Sequence, residues 1–171
     1  MSELIDLTVR EVKNNIMLRR SIDFLENNYV LVGIPEKTTD RQNSDNLDTN
    51  AQILYLNTNG SPINNIPARP VLEPALEDDK ENIEKRLEKV FNSVEKGEKD
   101  KAKAELEKLG MTEQNKVRSW FVDDKNGWPP NSYLVQKEKR RKGSTNPRPL
   151  IDTGELRKSI TYVVVEDGRR K

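Results

Sequence analysis

The sequence contains no cysteine and no histidine. Without cysteine, disulfide bonds and thiolate metal sites are excluded. Without histidine, the commonest general base and the commonest transition-metal ligand are missing. Aromatic residues make up only 5% of the chain, and no apolar run reaches the length of a membrane-spanning helix or of a signal-peptide core. We therefore expect a soluble, unprocessed protein without a bound metal or cofactor.

The sequence also lacks an excess of either charge, since it contains 30 Lys and Arg residues and 29 Asp and Glu residues. A net charge of +1 provides no global field that would attract nucleic acid or a membrane surface. We expect no membrane association, and any partner must be recognised by a local patch.

Catalytic patterns are missing as well. The sequence has no nucleophile elbow, phosphate loop or dinucleotide fingerprint. The carboxylates at 78–79 and at 123–124 are adjacent in sequence, and adjacent side chains do not face each other on a helix. The acidic stretch 40–48 lacks the central glycine and the terminal glutamate of a calcium loop. We expect the protein not to be an enzyme.

Charged residues are abundant, at 35% of the 171 residues. The length favours a single domain over 1–171. The modest apolar content predicts a thin core, of the kind that neighbouring subunits often complete. The stretch 36–50 is predicted to be a mobile loop because Leu47 is its only aliphatic residue. The stretch 77–109 is predicted to be a charged helical region with solvated faces.

The hydrophobic pattern predicts an α+β fold, in which a small mixed sheet accompanies a long amphipathic helix and proline-rich extended arms. Helices are predicted over 4–27, 74–96, 98–109 and 112–122, and strands over 29–34 and 160–165. Residues 51–56 fit a short helix better than a second strand. Gly97 and Gly110 are predicted to end helices.

Proline is concentrated in one segment, because 61–74 contains four of the nine prolines. Proline removes a hydrogen-bond donor and fixes φ, so this segment is neither a central strand nor the interior of a helix. The aliphatic residues between the prolines predict an ordered extended arm rather than a linker.

Residues 147–165 combine several local signals. Two prolines keep the beginning of the segment extended. Asp152 and Glu155 have the spacing of an N-cap and a capping box, which predicts a helical turn carrying Leu156 before the final strand. Gly154 lies inside this turn, where it indicates the close approach of another backbone.

One stretch is strongly basic. After a helical turn capped by Ser132, the chain is predicted to enter a glycine-terminated loop with five positive charges in six residues. These residues are Lys137, Lys139, Arg140, Arg141 and Lys142. Such a run can contact phosphate by releasing counterions. The alternative is a solvated loop that balances the acidic helix surface, and the lack of interleaved aromatic residues favours that alternative.

Three segments form an ordered set of motifs. They are Ile-Pro-Ala-Arg-Pro-Val-Leu-Glu-Pro-Ala-Leu at 66–76, Trp-Pro-Pro-Asn-Ser at 128–132, and Pro-Leu-Ile-Asp-Thr-Gly-Glu-Leu-Arg-Lys-Ser-Ile at 149–160. In this order, with a long helix and a basic stretch between them, they resemble the neck proteins of long-tailed bacteriophages. That family is also described as tail components or virion morphogenesis proteins. Val71 stands where the family usually has an aromatic residue.

The resemblance implies a structural virion protein that forms a homo-oligomeric ring of six copies in the neck or collar. Such a ring joins the head connector to the tail and surrounds the DNA channel. Implied partners are further copies of the chain, the head connector, adaptor or head-closure protein, the tail terminator or tail tube protein, and DNA that passes without sequence readout. The implied location is the virion, after synthesis in the host cytoplasm.

Two alternatives accompany this interpretation. Within the same class, the protein terminates the tail tube or closes the head. From a different class, it is a DNA-binding accessory protein that uses the basic loop 137–142.

Within the resemblance, we expect 66–72 and 149–156 to pack together, either inside each subunit or across the ring contact. Arg69 is expected to pair with a carboxylate such as that of Asp152. The predicted subunit or partner contacts are Ile66, Pro67, Arg69, Pro70, Leu72, Leu150, Asp152 and Leu156.

Overall fold

The structure is a computed structural model, and it describes residues 2–35, 49–145 and 147–170. The helices are α1 (Ser2–Asn27), α2 (Asn50–Asn59), α3 (Leu72–Asp78), α4 (Lys80–Glu95), α5 (Lys99–Trp120), α6 (Tyr133–Arg141) and α7 (Glu155–Ser159). The strands are β1 (Tyr29–Gly33), β2 (Thr161–Glu166) and β3 (Arg169–Arg170), and short 3₁₀ turns occupy Pro62–Asn64 and Asp124–Asn126. Of the predicted mobile loop 36–50, all but the last two residues lie outside the described residues.

The α+β class predicted from the sequence is confirmed. The three strands form one sheet in the order β1-β2-β3. Strands β2 and β3 are antiparallel, with Val165 opposite Arg170 and Glu166 opposite Arg169. The turn between them places Asp167 and Gly168 at φ 49° and 73°. Because two successive left-handed residues match the twist of antiparallel strands, this turn allows a tight hairpin.

The chain divides into two compact units. The first comprises Met1–Leu31, Lys80–Met111 and Val163–Lys171, and the second comprises Val32–Asp79 and Thr112–Tyr162. Both are discontinuous in sequence. The assignment of 1–171 to a single domain stays a prediction.

The first unit is built on α1, α4 and the beginning of α5. Its buried apolar side chains are Phe24, Val90, Val94, Ala102, Leu106, Leu109, Val164 and Val165. The end of α1 is tied to the β2–β3 turn, because the amide of Gly168 donates to the carbonyl oxygen of Asn27 at 3.0 Å. Lys103 of α5 reinforces the same turn, since its Nζ lies 3.1 Å from carboxylate oxygens of both Glu166 and Asp167.

The second unit has its own apolar core. Its buried members come from α2, α3, the end of α5, α7 and the segments beside them: Leu54, Val71, Ala75, Val117, Trp120, Phe121, Leu156 and Ile160. Partly buried side chains from the proline-rich segments pack against this cluster, among them Leu72, Trp128, Leu150 and Ile151. The core therefore gathers residues from distant parts of the sequence.

Two helix boundaries differ from the prediction. The helix predicted over 74–96 is two helices, because α3 ends at Asp78 and the amide of Asp79 turns back to the carbonyl oxygen of Leu76 at 3.2 Å. The predicted end at Gly110 is wrong, since α5 runs without interruption from Lys99 to Trp120. One glycine in a helix costs about 1 kcal/mol. Burial of each large apolar side chain along α5, such as Leu106, offsets that cost by roughly 1.5–3 kcal/mol.

Other local predictions are confirmed. Helix α2 replaces the alternative strand at 51–56, and it begins with a capping box between Thr49 and Gln52. Gly97 follows the end of α4 with φ 77°. Ser132 caps α6, because its hydroxyl accepts from the amide of Val135 at 3.4 Å. The basic run is not a loop, however, since α6 continues to Arg141.

The predicted cap at Asp152 is wrong. Helix α7 begins at Glu155, its N-cap is Gly154 at φ 80°, and no side chain in the described part of the chain caps it. The hydroxyl of Thr153 accepts from the amide of Glu155 at 3.4 Å instead. The expected close approach at Gly154 is wrong too, because none of the described atoms lies within 4 Å of the position that a Cβ would take. Glycine is needed there for its left-handed backbone.

Among the described residues, none of the helices combines the length and the apolar character that a membrane span needs.

Candidate functional site

Arg69 joins the first motif to the second. Its side chain is buried, and its Nη2 donates to the carbonyl oxygens of Pro129 at 3.0 Å and Pro130 at 3.4 Å, while Nε donates to Pro129 at 3.4 Å. Burial lowers the pKa of the guanidinium from its ordinary value. A planar fork with several donors can serve two successive carbonyl groups at once, which the single ammonium of lysine does not do in the same geometry.

Trp128 joins the same two motifs from the other side. Its indole Nε1 donates to the carbonyl oxygen of Pro70 at 3.0 Å. Its ring meets that of Phe121 edge to face, with 5.9 Å between centroids and 88° between planes. Asn126 links Trp128 to the end of α5, since its side chain accepts from the amide of Trp128 and donates to the carbonyl oxygen of Trp120, each at 3.0 Å. The two prolines at 129–130 are thereby fixed against the arm.

The arm itself is a closed turn followed by a segment without regular secondary structure. Ser61 and Ile66 exchange two backbone hydrogen bonds of 2.8 and 3.0 Å around a 3₁₀ turn, and Ile63 at its tip is 94% exposed. The prediction of a wholly extended arm is therefore wrong for the turn at 62–65 and for Val71, whose backbone is already helical, while 67–70 form neither helix nor strand. Gly60 is required at the base, because a Cβ there would lie 2.7 Å from the amide nitrogen of Ala68.

The third motif is held by side chains of the second motif and of α6. Asn131 donates through Nδ2 to the carbonyl oxygen of Pro147 at 3.0 Å. Lys139 donates through Nζ to the carbonyl oxygens of Arg148, at 3.0 Å, and Ile151. Burial lowers the pKa of the Lys139 ammonium. The three motifs thus form one framework, which we call the proline framework and define as 60–72, 126–131 and 147–156.

The expected packing of 66–72 with 149–156 is confirmed within one subunit. Val71 and Leu156 belong to the same core cluster, and Leu72 and Leu150 pack against it. The expected pairing of Arg69 with Asp152 is wrong, because Arg69 binds the two proline carbonyls. Backbone carbonyls leave no mark in a sequence, so no pattern could have indicated this partner.

The predicted contact residues differ in solvent exposure. Arg69 and Leu156 are buried, whereas Ile66, Leu72 and Leu150 are partly buried. Pro67, Pro70 and Asp152 are exposed. Their role in a ring contact stays a prediction.

The five basic residues of 137–142 divide by role. Lys139 donates to carbonyl oxygens of the proline framework, and Arg141 pairs with Glu138 through two hydrogen bonds of 2.8 and 3.0 Å. Lys137, Arg140 and Lys142 are exposed. Helix α6 also exposes Tyr133 by 77% and Leu134 by 74%, a feature that sequence reasoning missed. The signal was present, as three large apolar residues open a helix that ends in basic residues.

A second set of charges lies on α3, on α5 and on the 3₁₀ turn Asp124–Asn126. The carboxylate of Asp78 binds Lys116 Nζ at 2.6 Å and Lys125 Nζ at 3.0 Å. These hydrogen bonds, the one from Lys116 first, lower the pKa of Asp78. Lys116 also lies 6.0 Å from the ring centroid of Trp120. The two lysines lie 38 and 47 residues from Asp78, so the sequence does not indicate the pairing. We assign this cluster a structural role.

Comparison with family models, with curated proteins and with solved structures finds no match to this chain. Within the described residues, no group of three acidic side chains is placed to hold a metal ion. The resemblance to phage neck proteins therefore stays a prediction that depends on the three motifs.

Proposed function

We propose that this protein is a structural subunit of a tailed phage or phage-like virion, which assembles into a ring in the neck and joins the head connector to the tail. Tail termination and head closure are the alternatives within the same class. The observation that supports the proposal is the proline framework. The three motifs that carry the resemblance are separated along the chain, and in the structure they meet in one place.

The proline framework suits a protein whose work is docking. Its prolines restrict the unfolded chain, so less conformational entropy is lost when the arm is held in place. The bonds from Arg69, Trp128 and Asn131 fix the segments before any partner arrives. A preorganised surface binds more tightly than a mobile one of equal area, because the cost of ordering has already been met.

A DNA-binding accessory role receives less support. Two of the five basic side chains, Lys139 and Arg141, form hydrogen bonds within the chain. Lys137, Arg140 and Lys142, which are exposed, fit weak contact with DNA that passes through a channel, which needs no sequence readout.

The test is light scattering coupled to size exclusion, at low and high protein concentration, with and without duplex DNA. We expect a ring-sized species, or a monomer that ignores DNA and joins connector or tail proteins when they are added. A monomer that binds duplex DNA strongly, loses it at high salt and stays indifferent to those proteins would overturn the proposal in favour of the accessory role.

A further inference from the structure

Helix α6 has an outward face that none of the described residues covers. Gln136 and Lys139 hold the inner face, since they donate to backbone carbonyls at 131, 148 and 151. The outward face begins with Tyr133 and Leu134, which are exposed by 77% and 74%. Lys137 and Arg140 follow Tyr133 at spacings of four and seven, so all three lie along one side of the helix. The outward face is therefore apolar at its start and basic towards its end.

A groove of complementary character lies between α1 and α4. Its volume is about 670 Å³, and its walls include Leu25, Leu87 and Phe91. Glu84 and Glu88 also line it, and both are exposed. They are one helical turn apart, so their carboxylates lie on one side of α4.

The apolar surface continues along α1 beyond this groove. Leu18 and Ile22 precede Leu25 at spacings that place all three on one face of the helix. Leu18 and Ile22 are each 46% exposed. Large apolar side chains that remain open along one helix face, beside an acidic rim, are typical of a surface that receives another helix.

We propose that the outward face of α6 docks into the α1–α4 groove of a second copy of this chain. Tyr133 and Leu134 enter against Leu25, Leu87 and Phe91. Lys137 and Arg140, about one turn apart, meet Glu84 and Glu88, which have similar spacing. Charge complementarity favours a second copy, since basic and acidic sides belong to the same chain and balance each other.

The two surfaces are different, so the contact is heterologous and each copy uses both. Such contacts generate rings when the rotation closes. A nine-residue helix is only about 14 Å long, and one face of it covers less than the roughly 800 Å² per partner of a standard stable interface. A lone pair is therefore weak, whereas a closed ring gives every subunit two contacts. This inference rests on the proposed ring and names the surfaces that build it.

The test uses two charge-reversed proteins. One carries Glu84→Lys and Glu88→Lys, and the other carries Lys137→Glu and Arg140→Glu. We expect the wild type to assemble and each reversed protein to stay monomeric with an unchanged circular dichroism spectrum. An equimolar mixture should assemble again, because each groove then meets an α6 of opposite charge. Glu73→Lys, an exposed change on α3, is the matched control and should leave assembly intact.

Cross-linking gives a second reading, because the natural chain has no cysteine. Leu87→Cys with Leu134→Cys in one chain should yield a ladder of disulfide-linked oligomers, while either change alone should not. A disulfide within one chain, or dimers of the Leu134→Cys protein alone, would overturn the contact. Reversed proteins that assemble like the wild type would overturn the surfaces and leave the ring standing. A wild type that is monomeric at every concentration would overturn the contact and self-assembly together.

Discussion

The guanidinium of Arg69 and the carbonyl oxygen of Pro129 are joined by two donors of one side chain, Nη2 at 3.0 Å and Nε at 3.4 Å. The residues are 60 positions apart in sequence. This contact brings the first two motifs together. The contribution of such contacts to stability can be tested by single substitutions.

Arg69→Lys should destabilise the protein by about 2 kcal/mol, because a charged hydrogen bond is lost and carbonyl groups that it served are left without that donor. The measurement is urea unfolding followed by far-ultraviolet circular dichroism. Arg140→Lys changes an exposed arginine of α6 in the same way and should stay within about 0.5 kcal/mol of the wild type. Equal midpoints for the two variants would contradict the role of Arg69.

Gly60→Ala should be more harmful than Gly154→Ala. Gly60 has φ 72° and ψ 175°, a region that is essentially limited to glycine, and Gly154 is left-handed with φ 80° and ψ 3°. Both alanines therefore incur a backbone cost of roughly 1–3 kcal/mol. Only at position 60 does the new methyl group meet backbone atoms, at 2.7 and 2.9 Å. Thermal unfolding of the two variants isolates the difference. If Gly154→Ala lowered the melting temperature as much as Gly60→Ala does, the close approach at the base of the arm would make no contribution to the loss of stability.

Lys139→Met should also destabilise the protein, by about 1–3 kcal/mol, since it keeps the length of the side chain and removes the donor to Arg148 and Ile151. Lys137→Met is the matched change on the exposed side of α6 and should have little effect on stability. The measurement is the urea midpoint of each variant. Equal midpoints for Lys139→Met and Lys137→Met would show that Lys139 has no special structural role in the basic run.

Asp78 should make stability depend on acidity. Its folded-state pKa is lowered by Lys116 and Lys125, so its contribution is complete above the ordinary carboxyl pKa of about 4 and is lost as pH falls through the lowered value. Asp78→Asn should therefore lower the urea midpoint at pH 7 and flatten its decline between pH 4 and pH 2. Glu73→Gln, an exposed change on the same helix, is the control. An unchanged acid profile in Asp78→Asn would contradict the assignment.

The sequence predicted the structural features that depend on residues close together in the chain. Helical periodicity located α1, a run of β-branched and aromatic residues located β2, and a hydroxyl at Ser132 located the start of α6. It failed at Gly110, because the weak local preference of one glycine was overridden by burial along α5. It failed at Gly154 because one residue type serves both close approach and positive φ, and the pattern does not tell which one applies.

The candidate site was predicted in part. The three motifs supplied its residues, and the packing of 66–72 with 149–156 followed from them. The partners of Arg69 and Lys139 are backbone carbonyls far along the chain, which carry no residue-specific signal. The apolar residues of the first turn of α6 were present in the sequence, but their exposure depends on which surfaces the rest of the chain covers.

The placement of the aromatic rings of Trp120 and Trp128 has an optical consequence. These are the two tryptophans of the chain, and both belong to the unit formed by Val32–Asp79 and Thr112–Tyr162. Intrinsic fluorescence excited at the indole band thus reports on that unit alone, whereas the amide signal sums over all helices. The protein carries its own selective chromophore, and a comparison of the two signals during unfolding shows whether the two units melt as one cooperative body or in succession.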